Sequence, residues 1–423
     1  MRVDDAEALR KAAGDGALEQ HAPIEVDGAA IEFSLRPPDG AALARAVRAM
    51  AERRIGALVQ GSGSKGSLGN SPRGAQVLLS TRGLAGLRDF DPEEGVLRAG
   101  AGTRLGELRD ALRASAWELP FDPPGAHPTL GGTLAAAAPG PRHTGFGRPR
   151  DLVLGLDAVL GDGVRARCGG RVVKNVTGYD LMKLQIGAHG SLGVIEAAWI
   201  RLRPRAESER TLAAALGSGP EACARGVALA RLASARAVAL VDKSLAEAIV
   251  PSLAPSAGWL LVAELAGDEA LVSRDAARLT ETVGAAPASP GAIARLRALQ
   301  GETLGPIGLR FRLAVLVDRL GEVSADLARA GAALLVYPGS GLVYARFALD
   351  EPDGAAVDRI WRALGVAARQ GGGHALLESA PAWAKAARDV FGEPDADLSL
   401  ARALKARFDP AGVLNPGRFA GGL

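Results

Sequence analysis

The sequence has few cysteines and few aromatic residues, and both shortages exclude classes of protein. Cys168 and Cys223 are the only cysteines among 423 residues, so the chain cannot build an iron–sulfur cluster or a cysteine-based zinc site of its own. A disulfide framework is excluded as well, which is typical of proteins in a reducing compartment. Aromatic residues make up only 4% of the chain, too few for a surface that stacks nucleic-acid bases.

Long apolar runs and an excess of charge of one sign are also missing. No stretch reaches about 18 uninterrupted apolar residues, so we expect no membrane span. The first residues, MRVDDAEALRKAAGDG, are charged and do not resemble a signal peptide. The 50 basic and 47 acidic residues give a net charge of +3 and are mixed along the chain, which argues against a nucleic-acid partner. These absences predict a cytoplasmic protein.

Glycine, in contrast, is abundant. The chain has 55 glycines, and they concentrate between Gly56 and Gly193. Along the whole chain, apolar residues at helical spacing predict helices, and short apolar runs predict strands. The predicted helices span 39–54, 105–112, 271–283 and 356–370. The predicted strands span 55–60, 77–80, 95–99, 152–160, 193–202, 259–264, 311–317, 333–337 and 342–347. This alternation predicts an α+β fold, with a boundary near Arg203-Pro204-Arg205.

Residues 61–70, GSGSKGSLGN, form the first loop, and its opening six residues satisfy the G-x-G-x-x-G pattern. A Rossmann dinucleotide site requires a helix to open at the third glycine. Here Gly66 is followed by Ser-Leu-Gly-Asn-Ser-Pro, which does not start a helix cleanly, so Rossmann is the weaker interpretation. The backbone N–H groups of such a loop can bind an anion without a helix. Ser62, Ser64 and Lys65 can add hydrogen bonds or charge, and a plain flexible loop is the alternative.

Two further glycine-rich segments follow the first loop. The second segment, residues 122–140, reads DPPGAHPTLGGTLAAAAPG and sets a Thr-Leu-Gly-Gly-Thr run ahead of several alanines. Such a face of small residues allows another backbone or a flat ring to lie against it. The third segment, residues 169–195, ends in GAHGSLGVI. Three glycine-rich segments contain more glycine than tight turns alone require. One large phosphate-bearing ligand could be wrapped by all three segments.

The order of these segments resembles the FAD-binding domain of the vanillyl-alcohol oxidase type, also called the PCMH type. GSGSKGSLGN is similar to the loop that binds the pyrophosphate in that family, and HPTLGGTLA and GAHGSLGVI are similar to segments that embrace the dinucleotide and the flavin. More narrowly, KNVTGYDL and FDPAGVLNPGRF resemble the FAD-binding E subunits of bacterial glycolate oxidase. The resemblance is strong over residues 36–205 and 403–419 and only architectural over 207–375.

The resemblance implies an FAD cofactor and a set of residues that hold it. The first loop contains no histidine, which many family members use for covalent attachment, so we expect non-covalent FAD. Lys174 and Asp180 could instead be a simple ion pair. The implied cofactor-binding residues are Gly61, Ser62, Gly63, Ser64, Lys65, Gly66, Gly69, Asn70, Pro124, Gly125, Thr129, Leu130, Gly131, Gly132, Thr133, Lys174, Asn175, Gly178, Tyr179, Asp180, Gly187, Gly190, Ser191, Leu192, Gly193, Val194, Ile195 and Asn415.

The same resemblance implies a domain layout. Residues 1–205 are expected to form the FAD-binding domain, with two lobes at about 22–90 and 91–205. Residues 206–375 are expected to form an α+β cap whose strands face the flavin ring, and 376–423 to return to the FAD domain.

The sequence offers fewer candidates for catalytic residues than for cofactor-binding residues. His374 is a candidate base, and Arg312 and Arg346, on predicted strands, could clamp a carboxylate; surface charge is the alternative for both arginines. The paired histidines of the catalytic D-type subunits are missing near His374, so no metal site is expected.

The predicted function is the FAD-binding subunit of a glycolate oxidase complex that oxidises a 2-hydroxy acid to a 2-oxo acid. The resemblance implies a homologous flavoprotein subunit and an iron–sulfur subunit as partners, and the complex could lie at the periphery of the inner membrane. A stand-alone FAD-dependent oxidoreductase and a non-catalytic assembly subunit with structural FAD are the alternatives.

Overall fold

The computed structural model of the protein describes residues 1–172, 180–256, 258–386, 388–392 and 398–423. These residues combine helices with three main sheets, which confirms the predicted α+β class. Within the described ranges, no helix is both long enough and apolar enough to cross a membrane.

The first sheet has four strands in the order β1-β2-β4-β3. The strands are β1 Leu18–Val26, β2 Ala29–Leu35, β3 Gly56–Gln60 and β4 Ala75–Ser80, and the helices beside them are α1 Val3–Ala13 and α2 Gly40–Arg53. Asp39 begins α2 by accepting a hydrogen bond from the amide of Ala42 at 2.8 Å, a normal N-cap. The sequence pattern predicted α2, β3 and β4 but missed α1, β1 and β2.

The second sheet has five antiparallel strands in the order β5-β6-β10-β8-β9, and β7 pairs separately with β11. The strands are β5 Leu87–Asp91, β6 Val96–Gly100, β7 Trp117–Glu118, β8 Val153–Leu160, β9 Arg165–Gly169, β10 Gly193–Arg201 and β11 Arg203–Pro204. The helices are α3 Leu105–Ala111, α4 Leu130–Ala135, α5 His143–Phe146, α6 Pro149–Leu152 and α7 Met182–Gln185.

The third sheet, which we name the cap sheet, has eight antiparallel strands in the order β15-β12-β14-β13-β17-β18-β16-β19. The strands are β12 Ser208–Leu216, β13 Ala235–Asp242, β14 Trp259–Gly267, β15 Ala286–Pro287, β16 Ile307–Ala314, β17 Ala333–Tyr337, β18 Leu342–Leu349 and β19 His374–Ser379. The helices are α8 Gly219–Leu229, α9 Lys243–Ala246, α10 Glu269–Val283, α11 Gly291–Gly301, α12 Leu320–Arg329, α13 Gly354–Gln370, α14 Ala382–Lys385 and α15 Ser399–Phe408. Strand β19 spans the predicted boundary at 375, and the domain limits stay predictions.

The cap sheet buries apolar side chains on both faces, because side chains alternate along a strand and helices cover both sides. One face is apolar and packs with α8, α10, α12 and α13 in a single core cluster; Phe311, Val343 and Leu377 belong to it.

The other face has a second apolar cluster over β12, β13, β14 and β17. At its β16-β18-β19 end this face carries the cap patch, which we define as Arg310, Arg312, Tyr344, Arg346 and Glu378. The register sets Arg310 opposite Arg346 and Arg312 opposite Tyr344. Glu378 lies where the pairing of β19 with β16 is irregular.

Two connections bring the cap sheet and the chain's C-terminus to the glycine-rich segments. Leu68, Ala136 and Ala138 belong to the same apolar cluster as the cap sheet. Ala57 of β3 forms a parallel bridge with Leu414. The first loop therefore lies between the cap sheet and the C-terminal residues.

Candidate functional site

A cleft opens where the first loop, the second segment and the C-terminal residues meet. The cleft brings together many of the predicted cofactor-binding residues and adds His189 and Arg418. The predicted residues that line it are Gly61, Ser62, Gly63, Ser64, Lys65, Gly66, Pro124, Thr129, Gly132, Thr133 and Asn415.

The first loop has the irregular backbone expected of an anion-binding loop. Residues 61–74 contain no helix or strand, so the helix that a Rossmann site needs does not follow Gly66. Among the described residues, the backbone amides of residues 62–65 donate to no protein acceptor. Because these residues also line the cleft, their N–H groups are available to an anionic ligand.

Glycine allows the backbone of the first loop and of the second segment to lie directly against side chains of the other. A Cβ atom on Gly61 would lie 2.0 Å from Oγ1 of Thr129. Thr129 cannot yield easily, because it is buried and caps α4 by accepting from the amide of Gly132 at 3.3 Å. Gly125 has φ +110°, and a Cβ there would lie 2.9 Å from Cβ of Ser64. The two segments therefore approach too closely for any larger residue.

The third segment supports the cleft, and of its described residues only His189 lines it. A Cβ on Gly190 would lie 2.8 Å from Nδ2 of Asn415. That amide donates to the carbonyl of His189, and Oδ1 of Asn415 accepts from the amide of Val59 at 2.8 Å. Asn415 thus ties β3 to the third segment. The predicted residues of this segment that lie outside the lining are Asp180, Gly187, Gly190, Ser191, Leu192, Gly193, Val194 and Ile195.

Four predicted residues, Lys174, Asn175, Gly178 and Tyr179, lie outside the described residues. Asp180 is described, and it pairs with Lys183 at 2.7 Å.

The remaining predicted residues have packing roles. Asn70 is buried and donates to Asp389 at 3.1 Å and to the carbonyl of Phe419 at 2.9 Å. Leu130 lies in the core. A Cβ on Gly131 would lie 2.6 Å from Cβ of Ala101, so Gly131 lets α4 pack against the end of β6. With Gly69 and Gly125, these residues lie outside the lining.

His189 was not predicted as a binding residue. Its ring is 5.4 Å from that of Phe391 and 5.6 Å from that of Phe419, measured between centroids. Burial, helped by Arg312 and Arg418, lowers the pKa of His189 to about 3, so the imidazole is neutral at physiological pH. Its Nδ1 is buried without a hydrogen-bond partner among the described residues, which suits a site that a ligand completes.

Lys65 brings the first loop next to the cap patch. Burial lowers the pKa of Lys65 to about 8; Glu378 opposes this change, and Arg310 and Arg312 add to it. Ser67 of the same loop donates to the hydroxyl of Ser379 at 3.2 Å. Lys65, which lines the cleft, therefore lies between the cleft and the cap patch, whose residues are outside the cleft lining.

A single carboxylate balances part of the cap patch's positive charge. Nε of Arg310 lies 3.1 Å from Oε2 of Glu378, and Nη1 of Arg312 lies 3.7 Å from Oε1. Burial favours the neutral acid, but Arg312, Arg310 and Lys65 together hold the pKa of Glu378 below its ordinary value. Glu378 is therefore ionised at neutral pH. Tyr344, whose hydroxyl accepts from Gln300 at 2.8 Å, has its pKa raised by burial.

The two predicted arginines have different surroundings. The side chain of Arg312 is 21% exposed, whereas Arg346 is 0% exposed. Arg346 donates to the carbonyls of Leu299 and Glu302, its Nη1 has no hydrogen-bond partner among described residues, and burial lowers its pKa to about 10. Arg312 is therefore more accessible from solvent than Arg346.

The structure does not bring His374 to this site. His374 is exposed at the start of β19, opposite Ala314, whereas Glu378 near the end of the strand belongs to the cap patch. Over the described ranges, no group of three or more histidine, cysteine or acidic residues could hold a metal ion.

Sequence reasoning missed Arg310, Tyr344, Glu378, His189 and Arg418. The alternation Arg310-Phe-Arg312 and Tyr344-Ala-Arg346 is the signal that could have revealed a shared polar face.

Comparisons with known proteins bear on this cleft. Residues 32–169 match the family described as FAD binding domain, and residues 391–419 match the one described as FAD linked oxidases, C-terminal domain. The chain is 39% identical over 157 residues to glycolate oxidase subunit GlcE of Escherichia coli, covering 37% of this chain and 44% of that protein. It is 34% identical over 192 residues to D-lactate dehydrogenase of Archaeoglobus fulgidus, covering 45% of this chain and 43% of that protein. The matched region thus spans less than half of these relatives.

Among solved structures, p-cresol methylhydroxylase with substrate bound has the same fold. The TM-score is 0.75 at 16% identity, covering 98% of this chain and 96% of that chain. The predicted resemblance and the predicted cofactor, FAD, are confirmed by these matches.

Proposed function

Because this chain carries an FAD-binding domain on the PCMH-type fold, we propose that FAD lies in the cleft with its pyrophosphate against the first loop. The amides of residues 62–65, which have no protein acceptor among the described residues, support this assignment. So does the unpartnered Nδ1 of His189. Arg418, which also lines the cleft, supplies a positive charge that favours the phosphates.

The flavin is held without a covalent bond, since residues 61–70 contain no histidine. Acid precipitation of the purified protein should release the yellow colour into the supernatant. Colour that stays in the pellet would contradict this part of the proposal.

The substrate we propose is a small 2-hydroxy acid, and the observation that carries this is the position of Arg312. It is partly exposed and neighbours Lys65 of the cofactor loop and the ionised Glu378. A guanidinium binds a carboxylate through two parallel hydrogen bonds, so Arg312 is the carboxylate clamp. Arg346 is the fully buried member of the patch and supports the others.

Oxidation of a 2-hydroxy acid to a 2-oxo acid removes a proton from the hydroxyl group and two electrons with a proton from C2. Bound FAD supplies the acceptor for the two electrons and the C2 hydrogen. Glu378, ionised beside Arg312, takes the hydroxyl proton as general base. This assigns to Glu378 the role that the sequence suggested for His374.

The electrons must then leave through other subunits. Two cysteines cannot hold a cluster in this chain, and a similar protein is named as a subunit of glycolate oxidase. We therefore assign as partners a homologous flavoprotein subunit and an iron–sulfur subunit, contacted through an interface larger than about 1,000 Å².

The test is anaerobic reduction of the bound flavin by glycolate or D-lactate, followed by turnover with an artificial acceptor, with and without the partners. Bleaching of the visible flavin band by the isolated chain, with steady turnover only when the partners are added, is expected. Steady turnover by the chain alone favours the stand-alone oxidoreductase. A flavin that no hydroxy acid reduces under either condition favours the assembly subunit.

A further inference from the structure

The buried, positively charged side chains of Lys385 and Arg418 bind the second half of the first loop, residues 66–70. The carbonyl groups of five consecutive residues, 66–70, all accept hydrogen bonds from Lys385 or Arg418. Arg418 bonds the carbonyls of Gly66 at 2.6 Å, Leu68 at 2.5 Å and Asn70 at 3.1 Å, and Lys385 bonds those of Ser67 and, at 3.2 Å, Gly69.

One carboxylate holds both cations in place. Nζ of Lys385 lies 3.0 Å from Oδ1 and 2.8 Å from Oδ2 of Asp27, and Nη1 of Arg418 lies 2.6 Å from Oδ2. The side chains of Lys385, Arg418 and Asp27 are 0%, 8% and 2% exposed. Asp27 comes from the β1–β2 turn and the cations from the end of the chain. We name these three residues the clasp.

The clasp divides the first loop into two halves of opposite polarity. In the second half of the loop, the N–H groups of Gly66, Leu68 and Asn70 donate to the carbonyls of Gly63, Lys65 and Arg418, so this half is held both by its own backbone bonds and by the clasp. In the first half of the loop, the amides of residues 62–65 have no acceptor among the described residues. Carbonyls that turned into the cleft would instead repel a phosphate.

We propose that Asp27, Lys385 and Arg418 are positioning residues for the cofactor: they fix the orientation of the loop so that the pyrophosphate of FAD meets N–H groups and not carbonyl oxygens. The two cations and one carboxylate also leave one positive charge behind the loop, which favours a phosphate further. This inference rests on the proposed place of FAD in the cleft and not on the proposed oxidation.

The test compares two flavins that share the ring system but differ in the pyrophosphate. Dissociation constants of FAD and of riboflavin are measured by flavin fluorescence for the wild-type apoprotein and for Lys385→Met. The variant should bind FAD about tenfold more weakly, as expected for lost charge-assisted hydrogen bonds, and riboflavin within about twofold of the wild type. The loss of FAD's advantage over riboflavin is a result that a general loss of stability does not produce.

Arg418→Lys gives a second variant, which keeps the charge and removes the fork that reaches three carbonyls. It should show the same selective loss in smaller measure, and it keeps the test valid if Lys385→Met does not fold.

Asp275→Asn is the matched control, because Asp275 is also a buried carboxylate, bonded to Ser234 at 2.7 Å, and lies outside the cleft lining. It should lower the thermal midpoint and leave both dissociation constants unchanged. Equal weakening of FAD and riboflavin in the two clasp variants, or unchanged FAD affinity in both, overturns the proposal. A wild-type protein that binds neither flavin overturns the cleft assignment itself.

Discussion

The glycine cleft and the cap patch lie side by side but are built from different parts of the amino acid. The cleft uses backbone amides and close approaches such as that of Gly61 to Thr129, whereas the patch uses long charged side chains from β16, β18 and β19. A backbone site depends on the absence of side chains, and a side-chain site depends on strand register. Mutations should therefore separate cofactor binding in the cleft from substrate binding at the patch.

The largest expected effect is the loss of FAD in Gly61→Ala. The added Cβ would lie 2.0 Å from Oγ1 of Thr129, so the first loop and the second segment must move apart. Overpacking of up to about 3 kcal/mol corresponds to an affinity loss of about a hundredfold, measurable by titration of the apoprotein with FAD.

Gly106→Ala is the matched control for that variant. Gly106 lies in α3 with nothing within 4 Å of an added Cβ, so alanine should raise stability by up to about 1 kcal/mol and leave FAD binding unchanged. Full flavin content in both variants would contradict the assigned approach of the two segments.

The next largest effect is expected for Arg312→Met, which should leave the flavin content unchanged. Loss of a charge-assisted pair with the substrate carboxylate, about 1.5–3 kcal/mol, should slow anaerobic flavin reduction at low substrate concentration by about tenfold to a hundredfold. Stopped-flow absorbance measures this rate, and the exposed Arg359, changed to methionine, is the control. An unchanged rate would remove Arg312 from the substrate site.

A smaller effect is expected in the pH dependence of FAD binding. The pKa of Lys65 is lowered to about 8, and a neighbouring pyrophosphate favours the ammonium form, so binding takes up a proton above about pH 8. FAD affinity should fall about fivefold from about pH 7 to about pH 9 if the pKa rises by about one in the complex. Lys65→Arg should make the titration curve flat, and a fall that persists in this variant would exclude Lys65 as its source.

The same group affects the stability of the apoprotein. In the unfolded chain the lysine returns to its ordinary pKa of 10.5, so the unfolded chain binds more protons than the folded chain between about pH 8 and about pH 10.5. The contribution of Lys65 to the free energy of unfolding should therefore increase as the pH rises through this window. Thermal midpoints of the wild type and of Lys65→Met, compared across the window, measure it.

The smallest effect is expected for Arg346→Met. Arg346 is fully buried, and among the described residues its hydrogen-bond acceptors are the backbone carbonyls of Leu299 and Glu302, so an apolar side chain of similar volume should be tolerated. Flavin reduction should slow by less than about threefold. A loss as large as that in Arg312→Met would show that both arginines contact the substrate, as the sequence pattern allowed.

The sequence predicted the cofactor cleft better than the catalytic patch, for a physical reason. The first loop and the second segment are continuous stretches whose small residues signal a close approach directly. Helices such as α2 and α13 were predictable because their apolar residues repeat at helical spacing. Strand β1 was missed because most of its residues are exposed, which leaves no alternation to detect.

The patch and the clasp depend on residues far apart in the chain. Glu378 meets Arg310 through the pairing of β16 with β19, which the sequence does not reveal. His374 lies on the same strand and was chosen as the candidate base because histidine is a common general base. Asp27 and Lys385 are 358 residues apart, so no local pattern could connect them.

The most direct test of the whole account is one experiment on three proteins: flavin content, followed by anaerobic bleaching with a 2-hydroxy acid, for the wild type, Gly61→Ala and Arg312→Met. We expect the wild type to bind flavin and bleach, Gly61→Ala to lack flavin, and Arg312→Met to keep its flavin but bleach slowly. An Arg312→Met protein that bleaches like the wild type, or a Gly61→Ala protein with full flavin content, would contradict the division between cofactor cleft and substrate patch.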